Sequence, residues 1–256
     1  GWPVHLDTGH ALTEPAVGDA DGDGSLEILF NTALGWLHCI EVDTTPCTGW
    51  PVDVRFGGIG SSGSGPALGD LDGDGRHEVA LEVGAWCGGG TDGGVMVWNG
   101  EDGSLLWSRC APDTGMGNRT PAIGDIDGDG DLDVLSVYYT KLVWYENVDG
   151  EGNFDEQHVI SSERPPLSMY AADIDSDGDI DLLAASIVPD RIAWYENTDG
   201  KWNFGLQRVI STEIGGGIPA VYAVDLDGDD DIDVVSSSFT FCSQCETAWH
   251  ENIDGK

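Results

Sequence analysis

A nine-residue acidic string repeated five times, a four-strand pattern around each copy, and a spacing that runs on across the termini predict an all-β fold: a five-bladed β-propeller of four-stranded antiparallel blades. The strings are DADGDGSLE from Asp19, DLDGDGRHE from Asp70, DIDGDGDLD from Asp125, DIDSDGDID from Asp173 and DLDGDDDID from Asp225. Successive starts lie 51, 55, 48 and 52 residues apart, and the step from Asp225 through the termini back to Asp19 is 50. A period that survives the cut describes a closed ring.

Each string is preceded by a short apolar run (PAVG, PALG, PAIG, YAA or YAV) and followed by a β-branched stretch such as LEILF or LDVLSVY, which read as the first and second strands. The third strand reads KLVWYEN at 141–147, RIAWYEN at 191–197 and TAWHEN at 247–252, and the fourth QHVI at 157–160 or QRVI at 207–210. The expected blades are 15–54, 66–110, 121–160, 169–210 and 221–252, together one domain over 1–256. The last blade lacks a fourth strand of its own, and GWPVHL at 1–6 repeats GWPVDV at 49–54, so the N-terminal strand is expected to complete blade 5 and fasten the ring. A four-stranded sheet cannot bury both faces alone, and stacking blades around an axis buries all of them. Trp98, Trp144, Trp194 and Trp249 are expected at one equivalent place on the third strand, as filler between blades, with His38 at the same place in blade 1; a sugar platform is the functional alternative for these rings.

The 47 acidic and 10 basic residues give a formal charge of −37, which excludes nucleic acid and anionic membrane as passive electrostatic partners and makes cations the expected ones. A halophilic or marine source would favour scattered acids but not acids in strict register. With no apolar run near the roughly 20 residues that span a bilayer, the expectation is no membrane insertion and a mature, soluble chain. Six cysteines (Cys39, Cys47, Cys87, Cys110, Cys242, Cys245) form an even set whose spacings suggest pairing within blades, hence an oxidising, extracellular location.

Acids at positions 1, 3, 5 and 9 of a string, with a turn-forming residue at 6, place oxygen ligands around one point, a donor set that suits Ca²⁺ better than Mg²⁺. The expected ligands in blade 1 are the side chains of Asp19, Asp21, Asp23 and Glu27 with the Ser25 carbonyl. By register the other sets are Asp70, Asp72, Asp74, Arg76 (carbonyl) and Glu78; Asp125, Asp127, Asp129, Asp131 (carbonyl) and Asp133; Asp173, Asp175, Asp177, Asp179 (carbonyl) and Asp181; and Asp225, Asp227, Asp229, Asp231 (carbonyl) and Asp233. Ser176 at position 4 is expected to cost little, and Asp230, in place of Gly at position 6, to take a left-handed backbone in a weaker site.

These strings, with the WYENxDGxxNF segments at 144–154 and 194–204, resemble the FG-GAP/VCBS repeat family of calcium-bearing propellers, found in integrin α heads and many secreted bacterial proteins. The resemblance implies the fold and five calcium sites; integrin-like propellers have seven blades, so their ligand site does not carry over, and the literal FG…GAP signature is degraded after Phe56-Gly57.

No Gly-x-Ser-x-Gly, no His-Glu-x-x-His and no lone Cys with a partner His occurs, and the expectation is a non-catalytic module binding carbohydrate or an extracellular protein in adhesion. The alternatives are a structural propeller in a larger secreted protein and a polysaccharide lyase or hydrolase. Since the strings lie in turns between first and second strands, they share one end of the disc. The ligand is expected on the opposite end, at Arg55, Trp86, Arg119, Tyr139 and Arg164.

Overall fold

The protein, seen in a computed structural model, is described for residues 14–55, 64–87, 92–110, 119–138, 141–155, 157–161, 166–187, 189–212, 218–239 and 247–252. Among these residues there is no helix. Strands β1 (Ala16–Gly18), β2 (Glu27–Asn31), β3 (Trp36–Ile40) and β4 (Val52–Asp53) form the first sheet. The second holds β5 (Ala67–Gly69), β6 (Glu78–Cys87), β7 (Asp92–Trp98) and β8 (Leu105–Cys110). The third holds β9 (Ala122–Gly124), β10 (Asp133–Tyr138), β11 (Lys141–Tyr145) and β12 (His158–Ser161). The fourth holds β13 (Ser168–Ala172), β14 (Asp181–Ile187), β15 (Asp190–Tyr195) and β16 (Arg208–Ser211). The fifth holds β17 (Ile218–Val224), β18 (Asp233–Phe239) and β19 (Thr247–His250). Every pairing is antiparallel and between neighbours in sequence, so each sheet is a meander and the five make a five-bladed β-propeller. The strand expected to complete blade 5, residues 1–6, lies outside the described residues.

The first strands touch one another in series, β1 to β5, β5 to β9, β9 to β13 and β13 to β17, so they line the axis. Four apolar clusters fill the seams between successive blades. Leu29 and Cys39 of blade 1 meet Val79 and Met96 of blade 2, and Val95 and Val97 of blade 2 meet Val134 and Tyr145 of blade 3. Further round, Trp144 meets Met169 and Leu182, and Trp194 meets Val221 and Val234. Alternate residues of one strand serve opposite seams, which is why these strands read as continuous apolar runs.

The tryptophans are not all equivalent. Trp144, Trp194 and Trp249 pair with the second residue after the string acid (Leu135, Leu183, Val235), but Trp98 pairs with the first, Val79. A slip of one residue reverses the face, and Trp98 therefore packs toward blade 1 while Trp144 and Trp194 pack toward the following blade. In blade 1 the matching place, opposite Leu29, belongs to Cys39, not to His38, which lies opposite Phe30 and stacks on it. Trp249 is 47% exposed rather than seam filler among the described residues. Cys39 and Cys47 form a disulfide within blade 1, where the seam leaves room for small sulfur atoms in place of an indole, and Cys110 is also disulfide-bonded. Cys242 and Cys245 lie outside the described residues.

Candidate metal centres

Each string joins a first strand to a second and folds over itself by one scheme. The position-1 carboxylate accepts the N–H of residue 6: Gly24 to Asp19, Gly75 to Asp70, Gly130 to Asp125, Gly178 to Asp173 and Asp230 to Asp225, at 3.0 to 3.2 Å. Such a tight wrap needs left-handed backbone at positions 4 and 6, as at Gly22 (φ 75°) and Gly24 (φ 90°). Asp230 takes this conformation at φ 74°, as expected. Ser176 takes it too, at φ 58°, so position 4 is a strained place for a side chain and not the indifferent one expected.

The position-9 acid opens the second strand and is buried in every blade: Glu27, Glu78, Asp133, Asp181 and Asp233. Its carboxylate accepts the N–H of position 2, from Ala20 at 2.7 Å, Leu71 at 2.7 Å, Ile126 at 3.0 Å, Ile174 at 3.1 Å and Leu226 at 3.2 Å. One oxygen from each of positions 1, 3 and 9 then converges within 4.8 Å in Asp19/Asp21/Glu27, Asp70/Asp72/Glu78, Asp125/Asp127/Asp133 and Asp173/Asp175/Asp181. Position 5 is not in these sets; Asp23, Asp74, Asp129, Asp177 and Asp229 accept the N–H of residue 7 instead, from Ser25, Arg76, Asp131, Asp179 and Asp231. In blade 5, Asp227 and its neighbours are more exposed than in the other strings.

The carboxylates are poorly satisfied by the protein alone. Asp19 Oδ1, Glu27 Oε1, Asp70 Oδ1 and Asp175 Oδ1 are buried without a hydrogen-bond partner. Burial, reinforced by neighbouring carboxylates, pushes Glu78 up to about 7, Asp133 to about 8 and Asp181 to about 6. Buried, partnerless oxygens, set beside position-9 acids whose ionisation burial opposes, fit a hard cation at their centre, which would supply the missing charge.

Two features escaped the sequence reading. Asn147, Asn197 and Asn252, which end the WYEN or WHEN segments, donate from Nδ2 to the position-2 carbonyl of the preceding blade: Leu71 at 2.7 Å, Ile126 at 2.8 Å and Ile174 at 3.1 Å. Their own N–H groups bond the position-9 carboxylates of Asp133, Asp181 and Asp233, each at 2.8 Å. One side chain thus ties its own string to its neighbour's; the recurrence of Asn at the end of each WYEN or WHEN segment was the visible signal. The other feature is Glu82, fully buried on β6. Its Oε1 accepts Ser136 Oγ at 2.8 Å and Val137 N–H at 2.7 Å across the seam, its Oε2 accepts Arg119 N–H at 3.3 Å, and burial raises it to about 7. A lone Glu in an apolar strand gives no such signal.

Of the residues expected at a ligand site, Arg55 is forked onto Asp53 at 2.8 and 2.7 Å and lies over the Trp36 ring, while Arg119 sits half-buried at the Glu82 carboxylate. Trp86 falls in β6; Tyr139 and Arg164 lie outside the described residues.

Blades of this build, each carrying an acidic hairpin cradle, define a repeat-built β-propeller. The FG-GAP-like repeat model matches residues 125–184 and 177–236. No match is found among curated proteins. Among solved structures, rhamnogalacturonan lyase YesW matches at 20% identity and TM-score 0.58 over 95% of this chain and 49% of the lyase. The Vibrio cholerae biofilm matrix protein Bap1 matches at 19% identity and TM-score 0.56, over 91% of this chain and 36% of that one. An Agrocybe aegerita lectin that recognises non-reducing terminal N-acetylglucosamine matches at 18% identity and TM-score 0.50, over 90% of this chain and 61% of that one. At such identities the likeness establishes the fold, and the chain spans about half the length of the lyase.

Proposed function

We propose that this chain is a calcium-braced, non-catalytic binding propeller of a secreted protein, with carbohydrate as its ligand. The observation that carries the calcium reading is the set of buried, partnerless oxygens Asp19 Oδ1, Glu27 Oε1, Asp70 Oδ1 and Asp175 Oδ1 in all-oxygen cradles. Positions 1, 3 and 9 would hold the ion, and side-chain movement at position 5 with the carbonyl at 7 would complete the set. Calcium supplies charge that lets four clustered acids stay ionised; the chain supplies the wrap that holds them together.

The carbohydrate reading is supported by the lectin and the rhamnogalacturonan lyases among the structural neighbours. The end opposite the strings, which bears Arg55 and Arg119, is the proposed place. A cavity of about 310 Å³ at the string end, between blades 3 and 4, is the competing one, walled by Ile123, Leu132, Ala171 and Ile180 beside Asp125 and Asp179. A glycan array probed with calcium-loaded protein, followed by a sugar-bound structure, tests the reading; no bound glycan in any calcium condition would reject carbohydrate as the ligand. The lyases also favour a second reading, in which the chain is part of a polysaccharide-cleaving protein. Release of unsaturated oligosaccharides from rhamnogalacturonan by the purified chain would establish it over the first.

A further inference from the structure

We infer that the rim of blade 3 carries a metal site of a different kind, formed by Glu146, Asp155 and His158 and suited to a divalent first-row transition ion such as Zn²⁺. One donor atom from each of the three lies within 4.8 Å of the other two. An imidazole nitrogen with two carboxylates is a donor set for zinc and its neighbours, whereas calcium takes oxygens only, so this cluster does not duplicate the cradles.

The fold holds the three residues together along a short path. Glu146 follows β11, Asp155 follows the isolated bridge between Asn147 and Phe154, and His158 opens β12. Asp155 N–H donates to the Glu146 carbonyl at 2.9 Å, which fixes the two segments side by side. The His158 ring is set between two indoles, with its centroid 5.0 Å from Trp144 and 5.6 Å from Trp202. Its Nε2 is buried without a hydrogen-bond partner and lies 3.8 Å from Glu146 Oε2. That separation is too long for a hydrogen bond, but it is the spacing of two ligands on one zinc ion, roughly 3–4 Å for bonds near 2 Å.

Blade 4 shows the same scaffold with a different solution. Its matching residues are Glu196, Gly205 and Arg208, and there the Arg208 guanidinium bonds Glu196 while lying 4.7 Å over Trp194. The permanent cation of blade 4 is thus replaced in blade 3 by an imidazole, and a second carboxylate is added. Two carboxylates facing one imidazole leave negative charge for an ion to balance. The cap is held at a cost as well: Trp202 stands where blade 3 has Gly152, and takes a left-handed φ of 128° while half-exposed beside His158.

Titration of the calcium-saturated protein with Zn²⁺, read by calorimetry and by the melting temperature, tests the assignment. One equivalent of Zn²⁺ should bind and raise the melting temperature; His158→Ala should abolish binding, and Asp155→Asn should weaken it roughly 10-fold or more. Asp155 is exposed, so its substitution leaves the fold intact and decides the matter if His158→Ala destabilises the zinc-free protein. Failure of the calcium-loaded protein to take up Zn²⁺, or uptake of unchanged affinity in Asp155→Asn, overturns the site. Because calcium is saturating throughout, neither outcome depends on the glycan reading.

Discussion

Replacing Asn197 with Ala removes the amide that ties the string of blade 4 to that of blade 3. Asn197 is fully buried; its Nδ2 donates to the Ile126 carbonyl at 2.8 Å and the Ile180 carbonyl at 3.2 Å, and its Oδ1 accepts the Trp202 N–H at 3.2 Å. A buried polar group stripped of its partner costs about 1–3 kcal/mol. With Ile126, itself fully buried, as the main loss and the two longer bonds as partial ones, truncation should cost about 3 kcal/mol. At roughly 2–4 °C per kcal/mol for a chain of this size, the melting temperature should fall by about 6–12 °C. Thermal and urea unfolding in saturating calcium, followed by circular dichroism, measures this. Asn197→Asp preserves shape but sets an oxygen against the Ile126 carbonyl, so it should lose at least as much and separates the lost donor from lost volume. A stability for Asn197→Ala within about 0.5 kcal/mol of the parent would refute the clamp, since surface-like substitutions stay in that range.

Calcium removal should lower stability sharply. At about 1 mM ion and a Kd near 10⁻⁴ M each loaded string adds roughly 1.4 kcal/mol, so an unchanged melt in excess EDTA, with metal loss confirmed, rejects the cradles as calcium sites. Glu82 should make stability fall as pH rises. Burial lifts its folded value to about 7 from an ordinary 4.5, so the folded state holds the proton more tightly and the loss accumulates between those values, about 3 kcal/mol in all. Parent and Glu82→Gln unfolding compared from pH 4 to 8 in excess calcium should differ in slope over that window, and parallel curves would contradict the shift. Ser176→Gly should relieve left-handed strain and raise stability by up to about 1 kcal/mol, the gain being trimmed by glycine's unfolded-state entropy; a loss on this substitution in a urea titration would show that Ser176 is not strained.

What could be read from the chain was whatever is local and repeated. Each string carries its own hairpin, because the position-1 carboxylate reaches the N–H five residues on and glycines permit the wrap; residues within nine positions suffice to specify it. Repetition then implied the blade and the number of blades. The alignment of the third strands failed at Trp98 and His38 because apolar residues run continuously through strands buried on both faces, and no alternation marks the register. A single-residue offset, such as the one that sets Trp98 opposite Val79, is invisible there.

By itself, then, the sequence determined the five acidic hairpins, the antiparallel meander around each and the donor types at each cradle, since these depend on contacts between near neighbours along the chain. The tertiary structure alone decided the rest. It turned Trp98 toward blade 1, joined Asn147, Asn197 and Asn252 to carbonyls more than 70 residues away, and buried Glu82 against Ser136 in the next blade. It also brought Trp202 of blade 4 onto His158 of blade 3. The physical reason is that a seam between blades is set by how two sheets twist and approach, and side chains that satisfy one another across it carry no common spacing for a sequence to display.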